Sequence, residues 1–402
     1  MSDIIYINGG LNMKTKISII VLLMAFIIAV SSLFGYSKKT AFAEEYNEVK
    51  SSCAYLIDAD TKSVIYSKNE NDKKPIASMC KIMTLLLTFE AIERGELKTE
   101  EKICVSENAS HMGGSQVFLE ANADYLVNDL IKSIVIASAN DACVAMAERL
   151  CGSESVFVDK MNERAKELGM DNTVFVNCTG LPKPSQHSTA KDVSTMFAEL
   201  IKHKEYFNYS KIWMDKIPHP HDRYTEISNT NKLVRFYKGC DGGKTGYTNE
   251  AGHCLAASAE RNGTRLVGVV ISAPDSKSRF NDVSSMFNYG FANFESRTII
   301  DANKPLEIFA NIKGGKQEKV QIIAENNVKL FGKKNEKRGV EFSFVSSKNL
   351  TAPIKKGDKL GEIIVFENNI EIAKVNALAT CDVDEKTYFD YIKDIVFNWA
   401  LI

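Results

Sequence analysis

Residues Pro75-Ile-Ala-Ser78-Met-Cys-Lys81-Ile-Met-Thr-Leu-Leu-Leu87 form the stretch that decides the fold and the chemistry predicted for this chain. Its apolar residues predict a buried helix that runs to Arg94, with Gly95 as the C-terminal cap. The spacing of three places Ser78 and Lys81 on one face, a single turn apart. A serine hydroxyl needs an adjacent base to act as a nucleophile, and Lys81 would be that base. The N–H groups and positive dipole end at the helix N-terminus suit a developing oxyanion.

The order of further motifs singles out Ser78, because a Ser-x-x-Lys pattern alone is weak evidence. The same pattern recurs at Ser188-Thr-Ala-Lys191. Only the first copy is followed by Ser138-Ala-Asn140 and then by Lys244-Thr-Gly246 at suitable spacing. We therefore predict that Ser78 is the nucleophile and that the second copy is structural.

Ser138 and Asn140 lie in a connection between two apolar segments that are predicted to be helices. A structural interpretation is that Asn140 or Asp141 caps the second helix. The functional interpretation gives Ser138 the relay of a proton to the leaving amine and Asn140 a hydrogen bond to a substrate amide. Both interpretations stay open at this point.

The segment Asp241-Gly-Gly-Lys-Thr-Gly-Tyr-Thr248 is predicted to hold the substrate. Its glycines let a substrate strand lie close to the backbone. Lys244 offers a positive charge to a carboxylate, and Thr245 offers a hydroxyl to the same group. The backbone N–H of Tyr247 is the second predicted oxyanion donor, together with that of Ser78.

Three further side chains are of types that act in such sites. Arg279 is predicted to be exposed and to make a second carboxylate contact, because a planar guanidinium binds carboxylate in two places. His187 suggests a serine–histidine triad, but Lys81 and Lys244 leave no role for a histidine base. Cys80 is not the expected nucleophile, since Ser78 already has its base.

Hairpin signals outline an antiparallel sheet. Two apolar runs within residues 52–67 flank Asp58-Ala-Asp-Thr-Lys62, and Asn262-Gly263 joins two more runs. Short strand-like runs after Ser296 predict a small all-β domain that ends near Val383.

The two ends of the chain predict export and attachment. Lys14 and Lys16 precede an apolar run, and Ala41-Phe-Ala43 supplies a cleavage site, so residues 1–43 are predicted to be a signal peptide. An uncleaved membrane helix is the alternative, which the short apolar run and the cleavage site disfavour. Met13 directly before Lys14 is a more natural start than Met1, so residues 1–12 suggest a mis-assigned start. The domains expected after the signal peptide are a catalytic domain at 44–295, a β-rich domain at 296–383 and an amphipathic helix at 384–402. That helix would place Tyr388, Ile395 and Trp399 on one face, either in a membrane interface or against the β domain.

Composition excludes some functions. The net charge of −1 comes without a basic tract interleaved with aromatics, so no nucleic-acid partner is expected. The nine cysteines show no Cys-x-x-Cys pairs, so neither a zinc site nor a disulfide framework is predicted, and most are expected to be buried fillers.

With these motifs in place, the sequence resembles the low-molecular-mass penicillin-binding proteins that are serine-type D-alanyl-D-alanine carboxypeptidases. The resemblance covers the mature chain and includes four flanking segments: Asn140-Asp-Ala142, Asn229-Thr-Asn-Lys-Leu233, Asp241-Gly-Gly243 and Ala352-Pro-Ile-Lys-Lys-Gly357. It departs at Tyr247, where relatives can have histidine, and at Cys80, where threonine is usual.

The resemblance implies an α+β fold of the penicillin-binding/β-lactamase-like transpeptidase type, an antiparallel sheet flanked by helices, with a small all-β C-terminal domain. It implies that Ser78 attacks the penultimate carbonyl of D-Ala-D-Ala in peptidoglycan stem pentapeptides and holds an acyl-enzyme, and that β-lactams acylate the same serine. It also implies a C-terminal helix on the outer face of the cytoplasmic membrane or in the cell wall. No cofactor or metal is implied.

Other functions of the same fold remain as alternatives. A D,D-endopeptidase or transpeptidase would use the same residues on a different bond or acceptor. A non-catalytic, penicillin-sensing wall-binding protein is the third candidate. A class A β-lactamase is disfavoured, because no Glu-x-x-Leu-Asn segment occurs between Asn140 and Lys244.

Overall fold

The computed structural model describes residues 49–336 and 338–400 of the chain. The predicted signal peptide, residues 1–43, and the questioned start at residues 1–12 lie outside the described residues.

The described strands and helices are numbered separately along the chain. The strands are β1 (Cys53–Asp58), β2 (Val64–Lys68), β3 (Lys102–Cys104), β4 (Asp124–Leu126), β5 (Met214–Pro218), β6 (Tyr224–Ser228), β7 (Cys240–Thr248), β8 (Gly252–Arg261), β9 (Thr264–Ala273), β10 (Phe294–Ile300), β11 (Phe309–Asn311), β12 (Lys319–Ala324), β13 (Val328–Lys333), β14 (Val340–Ser346), β15 (Lys359–Glu367) and β16 (Ile370–Ala379). The helices are α1 (Lys81–Glu93), α2 (Glu107–Ser110), α3 (Val127–Lys132), α4 (Asn140–Cys151), α5 (Glu154–Glu167), α6 (Ala190–Leu200), α7 (Tyr206–Ser210), α8 (Leu233–Phe236), α9 (Ser276–Asn293) and α10 (Tyr388–Ala400).

A five-stranded antiparallel sheet with the order β2-β1-β9-β8-β7 forms the centre of the first part of the chain. Both predicted hairpins are confirmed, β1 with β2 and β8 with β9. Asn262 and Gly263 have φ angles of 51° and 78°, which a two-residue hairpin turn needs. β7 is an edge strand, with β8 as its only strand neighbour in this sheet.

Alternate residues of the central strands face two separate apolar cores. On β1, Cys53, Tyr55 and Ile57 pack into the core on one face, whereas Ala54 and Leu56 pack into the core on the other. This period of two is expected for a strand that is covered on both faces. Helices α1, α4 and α6 contribute to the first core and α9 to the second. The sheet is therefore flanked by helices, as the α+β class predicts.

The helix that carries Lys81 is buried on nearly every side. A 3₁₀ turn at Ala77–Cys80 precedes α1, so the expected continuous helix from Ser78 has a tighter first turn. At its other end, the N–H of Gly95 donates to the carbonyl of Ile92 at 3.0 Å, and the N–H of Glu96 donates to that of Ala91 at 2.9 Å. With φ of 73° at Gly95 this is a Schellman motif, which confirms the predicted cap.

The C-terminal part of the chain is built almost entirely from strands. β11, β12, β16, β15 and β14 form a second five-stranded antiparallel sheet, and β10 pairs with β13. An apolar core of its own supports this sheet, with Leu360, Ile363 and Val365 at its centre. The Oγ of Ser296 donates to Asp58 at 2.8 Å and thereby links this part to β1. The predicted boundary between residues 295 and 296 falls within β10 and remains a prediction.

The chain ends in helix α10, where the sequence predicted an amphipathic helix. Its side chains are described as far as Val396, so the side chain of Trp399 is not described, and Ile402 lies outside the described residues. Within the described part of the chain, no helix combines the length and the apolar character needed to cross a bilayer.

Candidate active site

Two glycines allow the backbone around Ser78 to pack tightly. A Cβ atom at Gly180 would lie 2.0 Å from the carbonyl oxygen of Ala77, and one at Gly246 would lie 2.7 Å from that of Ile76. Ala77 itself has φ of 46°, which is uncommon for a residue with a side chain. The half-buried Ser78 is therefore held between β7 and the loop that contains Gly180.

Lys81 is fully buried and its Nζ has three partners. It lies 3.1 Å from the Oγ of Ser78, 2.6 Å from the Oδ1 of Asn140 and 2.5 Å from the carbonyl oxygen of Thr179. The last two can only accept, so a neutral amine donates its two hydrogens to them and turns its lone pair to the Ser78 hydroxyl. The predicted nucleophile and base are thus within hydrogen-bond reach of each other.

Burial lowers the pKa of Lys81, because a charged ammonium is poorly solvated there. No carboxylate donates or accepts a hydrogen bond at its Nζ, whose three partners are a hydroxyl, an amide oxygen and a carbonyl. The environment therefore favours the neutral amine, which is the form that can accept a proton from Ser78.

Asn140 orients Lys81 rather than capping α4. The Nδ2 of Asn140 donates to the carbonyl of Gly113 at 2.6 Å, which leaves Oδ1 for Lys81. The carboxylate of Asp141 accepts from the N–H groups of Val117 and Leu119, both at 3.1 Å. α4 has Ala139 as its N-cap residue and no side-chain cap. The N-cap position itself therefore belongs to neither residue. The Asn140 side chain is engaged by Lys81 and Gly113, whereas the Asp141 carboxylate accepts from the N–H of Ala142 in the first turn of α4 at 2.9 Å as well as from the loop.

Ser138 and Lys244 meet across the cleft. Ser138 adopts a left-handed backbone with φ of 63°, and its Oγ accepts from the Nζ of Lys244 at 2.7 Å. Burial, followed by the charges of Lys81 and Arg279, holds the pKa of Lys244 well below its usual range. The lysine of the third motif is therefore joined to the serine of the second.

β7 brings the other predicted substrate contacts to the same place. Thr245 is buried beside Lys244, and Gly246 packs against the Ser78 backbone. The side chain of Tyr247 points to solvent, 55% exposed, and stacks on His253 with ring centroids 4.4 Å apart. Its side chain thus lies on the surface beside the strand.

Arg279 differs from its expected exposure. It is half-buried, and its Nη1 donates to the carbonyl oxygens of Gly246 at 3.1 Å and Cys254 at 3.4 Å. Burial lowers its pKa. The expectation of an exposed arginine is wrong because α9 packs on the sheet and turns the guanidinium toward the backbone of β7 and β8. Arg279 nevertheless lies directly beside the Lys-Thr-Gly motif.

The loop at residues 177–186 contains functional contacts that the sequence analysis did not assign. The carbonyl of Thr179 accepts from Lys81, and Gly180 supports Ala77. The sequence showed only an Asn-Cys-Thr-Gly-Leu segment with glycine and short polar residues, which is typical of a loop. The sequence cannot show that the carbonyl of Thr179 accepts from Lys81, because every residue has a backbone carbonyl.

The side chains of Ser188, His187 and Cys80 form hydrogen bonds within the fold and take no part in the site. The Ser188 Oγ is buried and bonded to Thr173, and the Nδ1 of His187 pairs with the carbonyl of Ser185. Cys80 is buried, and its Sγ donates to the carbonyl of Asn177. Burial raises the pKa of Cys80, so its thiol stays protonated and inert. The buried thiols described are Cys53, Cys80, Cys143, Cys178, Cys240 and Cys254.

Comparison with known proteins assigns the family. Residues 39–275 match the family described as D-alanyl-D-alanine carboxypeptidase, and residues 294–385 match the C-terminal domain of penicillin-binding protein 5. The chain belongs to the D-alanyl-D-alanine carboxypeptidase family. This confirms the resemblance that the three motifs predicted, together with the enzyme class.

Individual relatives agree with this assignment over most of their length. D-alanyl-D-alanine carboxypeptidase DacF of Bacillus subtilis strain 168 is 36% identical over 96% of this carboxypeptidase and 99% of the relative. A D-alanyl-D-alanine endopeptidase of Escherichia coli K12 is 31% identical over 75% of this chain and 94% of the relative. The crystal structure of penicillin binding protein 5 from Haemophilus influenzae has 28% identity and a TM-score of 0.66, covering 84% of this chain and 98% of the other. The fold class is thereby confirmed, including the all-β second domain.

Proposed function

We propose that this carboxypeptidase releases the terminal D-alanine of peptidoglycan stem pentapeptides through an acyl-enzyme on Ser78, and that β-lactams acylate the same hydroxyl. The observation that carries the proposal is the position of the Lys81 Nζ, 3.1 Å from the Ser78 Oγ and bonded otherwise only to acceptors. A buried neutral amine in this position takes the proton as the hydroxyl attacks the penultimate carbonyl.

The proton and the oxyanion have separate partners. The backbone N–H groups of Ser78 and Tyr247 would receive the oxyanion. Ser138 would pass a proton to the departing amine, since its hydroxyl already accepts from Lys244. One Nδ2 hydrogen of Asn140 is bonded to Gly113, so the other is left for a substrate carbonyl.

The free carboxylate of the substrate would bind at the middle of β7. Lys244 supplies a positive charge and Thr245 a hydroxyl, and Gly246 lets the substrate approach the backbone. The guanidinium of Arg279 donates a hydrogen bond to the carbonyl of Gly246, so it lies next to these three residues. Its positive charge adds to the attraction for an anion.

Intact mass spectrometry and a D-alanine assay test this proposal on one preparation. The purified protein is incubated with penicillin and, separately, with diacetyl-lysyl-D-Ala-D-Ala. We expect one penicilloyl adduct on Ser78 and release of D-alanine, both abolished in Ser78→Ala. An adduct without D-alanine release indicates a penicillin-sensing protein or another acceptor, and absence of the adduct refutes the serine assignment.

A D,D-endopeptidase or transpeptidase activity is the second candidate. The observation in its favour is the 31% identity to a relative that is named an endopeptidase. Cross-linked dimeric muropeptides distinguish the activities: an endopeptidase converts dimers to monomers, whereas a carboxypeptidase removes only terminal D-alanine.

We also propose that the protein is exported and lies on the outer face of the cytoplasmic membrane or in the cell wall, attached to a membrane surface through α10. Large apolar side chains on the predicted apolar face of this helix are exposed, with Tyr388 at 76%, Ile395 at 69% and Val396 at 58%. Helices with one apolar face bind at the membrane interface. Flotation with anionic vesicles should retain the intact chain and lose an Ile395→Asp variant, whereas equal flotation of both contradicts this role.

A further inference from the structure

The segment Asn229-Thr-Asn-Lys-Leu233 connects β6 to α8 and is buried in spite of its polar side chains. It is one of the segments on which the family resemblance rests. Asn229 is 5% exposed and Asn231 is fully buried. Burying an amide costs free energy unless it is hydrogen-bonded, so the partners of this segment show what it does in the fold. We call residues 229–233 the bridging segment.

The bridging segment holds the backbone that leads into Ser138. The N–H of Thr230 donates to the carbonyl of Ile136 at 3.2 Å. Ile136 belongs to the π-helical turn Ser133–Ala137, which ends directly before Ser138. Ser138 has a left-handed backbone with φ of 63°, a conformation that persists only where the surrounding structure supports it. The direction of the Ser138 side chain therefore depends on how this turn is held.

The next residue of the bridging segment holds β7. The Nδ2 of Asn231 donates to the carbonyl of Gly242 at 3.2 Å, two residues before Lys244, and its Oδ1 accepts from the N–H of Leu233 at 3.1 Å. A Cβ at Gly243 would lie 2.6 Å from this Nδ2, so the close approach requires a glycine there. β7 is an edge strand of its sheet, and at Gly242 the Asn231 amide takes the place of a neighbouring strand.

The bridging segment therefore joins the two elements that carry Ser138 and Lys244. These residues are 106 positions apart in the chain, yet the Nζ of Lys244 donates to the Oγ of Ser138 at 2.7 Å. Thr230 contacts the element of the first and Asn231 the element of the second, and the two are adjacent in the chain. Two neighbouring residues thus set the distance between β7 and the Ser138 turn.

We propose that Asn231 is a positioning residue for acylation, which holds β7 at the distance from Ser138 at which that hydroxyl passes a proton to the departing amine. The inference rests on the proposed acyl-enzyme chemistry and adds to it a residue that acts through the backbone of β7. The substrate would be held on β7 by Lys244 and the N–H of Tyr247, so a displacement of this strand moves the departing amine away from Ser138.

The two steps of the reaction differ in their sensitivity to such a displacement. Proton transfer requires hydrogen-bond reach between the hydroxyl of Ser138 and the amine. The attraction of Lys244 for a carboxylate falls only slowly with distance. Loss of the Asn231 contact should therefore slow acylation more than it weakens binding.

Asn231→Asp tests the proposal with little change in shape. One carboxylate oxygen still accepts from Leu233, but the other meets the carbonyl of Gly242, and two acceptors cannot share a hydrogen bond. If β7 moves by about 0.5 Å, acylation slows about tenfold, since a misplacement of about 1 Å costs about 100-fold. Intact mass of the full chain against time, at several penicillin concentrations, gives the acylation rate constant and the dissociation constant of the initial complex separately. We expect the rate constant to fall about tenfold and the dissociation constant to change less than about twofold.

Asn231→Ala removes the same donor without adding a charge. It should show the same division between the two constants, and it replaces Asn231→Asp if the buried carboxylate prevents folding.

Asn162→Asp is the matched control. On α5, outside the contacts of Ser78, Ser138 and Lys244, the Oδ1 of Asn162 accepts from the N–H of Phe175 at 2.9 Å and its Nδ2 donates to the carbonyl of Phe175 at 2.8 Å. This variant should lose stability in urea and keep the native acylation rate constant.

Three outcomes overturn the proposal: native acylation by both Asn231 variants, an equal loss of rate in Asn162→Asp, or a change confined to the dissociation constant. In each of these the native chain still forms the adduct, so the proposed acyl-enzyme stands. Absence of the adduct in the native chain overturns the acyl-enzyme and this inference with it.

Discussion

Gly180→Ala tests directly how the loop at residues 177–186 holds the nucleophile. Gly180 has φ of 80°, in the left-handed region, and a Cβ there would lie 2.0 Å from the carbonyl oxygen of Ala77 and 3.0 Å from the nitrogen of Ser78. Contacts of a Cβ atom below 3.0 Å are essentially never seen, so the Ala77–Ser78 peptide must move by about 1 Å. We expect this substitution to impair acylation more than folding.

The magnitude of each effect follows from this displacement. A shift of about 1 Å between reacting groups reduces a rate about 100-fold, so acylation by penicillin should fall by that factor. A residue with a side chain in the left-handed region costs about 1–2 kcal/mol of stability, and the forced contact adds about 1–3 kcal/mol. The domain should remain folded at 25 °C, since its large apolar cores are unchanged.

Gly152→Ala is the control for backbone strain. Gly152 follows α4 with φ of 76°, but a Cβ there would have no heavy atom within 4 Å. This variant should lose about 1–2 kcal/mol in the free energy of unfolding and keep the native acylation rate. Rates are measured by intact mass against time, and stabilities by urea unfolding. If Gly180→Ala acylates as fast as Gly152→Ala, the loop does not position Ser78 and the reasoning is refuted.

Three further predictions concern individual side chains of the site. The acylation rate should increase with pH, with a midpoint below 10.5, the ordinary pKa of lysine. Burial lowers the pKa of Lys81, and the neutral base is lost as the pH falls through that pKa. A midpoint at or above 10.5 in a pH–rate profile contradicts this. Lys244→Met should reduce kcat/KM for the peptide about 100-fold without loss of stability in urea, since it removes a contact to the substrate carboxylate but also the cost of burying an amine; an unchanged kcat/KM contradicts the carboxylate role. Cys80→Ala should form the penicilloyl adduct at the native rate, because burial keeps that thiol protonated and its Sγ bonded to Asn177; loss of the adduct with the fold intact contradicts it.

The sequence predicted those parts of the structure that depend on order and periodicity. The hairpins of the central sheet, the cap at Gly95 and the all-β second domain have local signals, either turn residues or strands of alternating character. The succession of three motifs identified Ser78, Lys81 and Lys244. Spacing works here because each motif spans only three or four residues, so the geometry within it is fixed locally.

Contacts made by the backbone or by remote side chains were not predictable. The carbonyl of Thr179 is 98 residues from Lys81 in the chain, yet it fixes the direction of the Lys81 lone pair. Asn140 was consistent with a helix cap, and only the position of Gly113 shows that its amide is used elsewhere. The expected exposure of Arg279 failed because the packing of α9 on the sheet is a tertiary effect. Such contacts require the fold, since no local pattern encodes which distant carbonyl is near.

The two buried lysines of the site explain how a single cleft can hold both a base and an anion-binding cation. Burial lowers the pKa of both lysines. The positive charges of Lys81 and Arg279 lower the pKa of Lys244 further. In the empty cleft, the ammonium form of either lysine is therefore disfavoured. A substrate carboxylate beside Lys244 reverses this for one lysine only, because an opposite charge at hydrogen-bond distance raises the pKa of that amine. Lys81 faces a hydroxyl, an amide and a carbonyl, so it gains no such partner and remains the base while Lys244 becomes the cation.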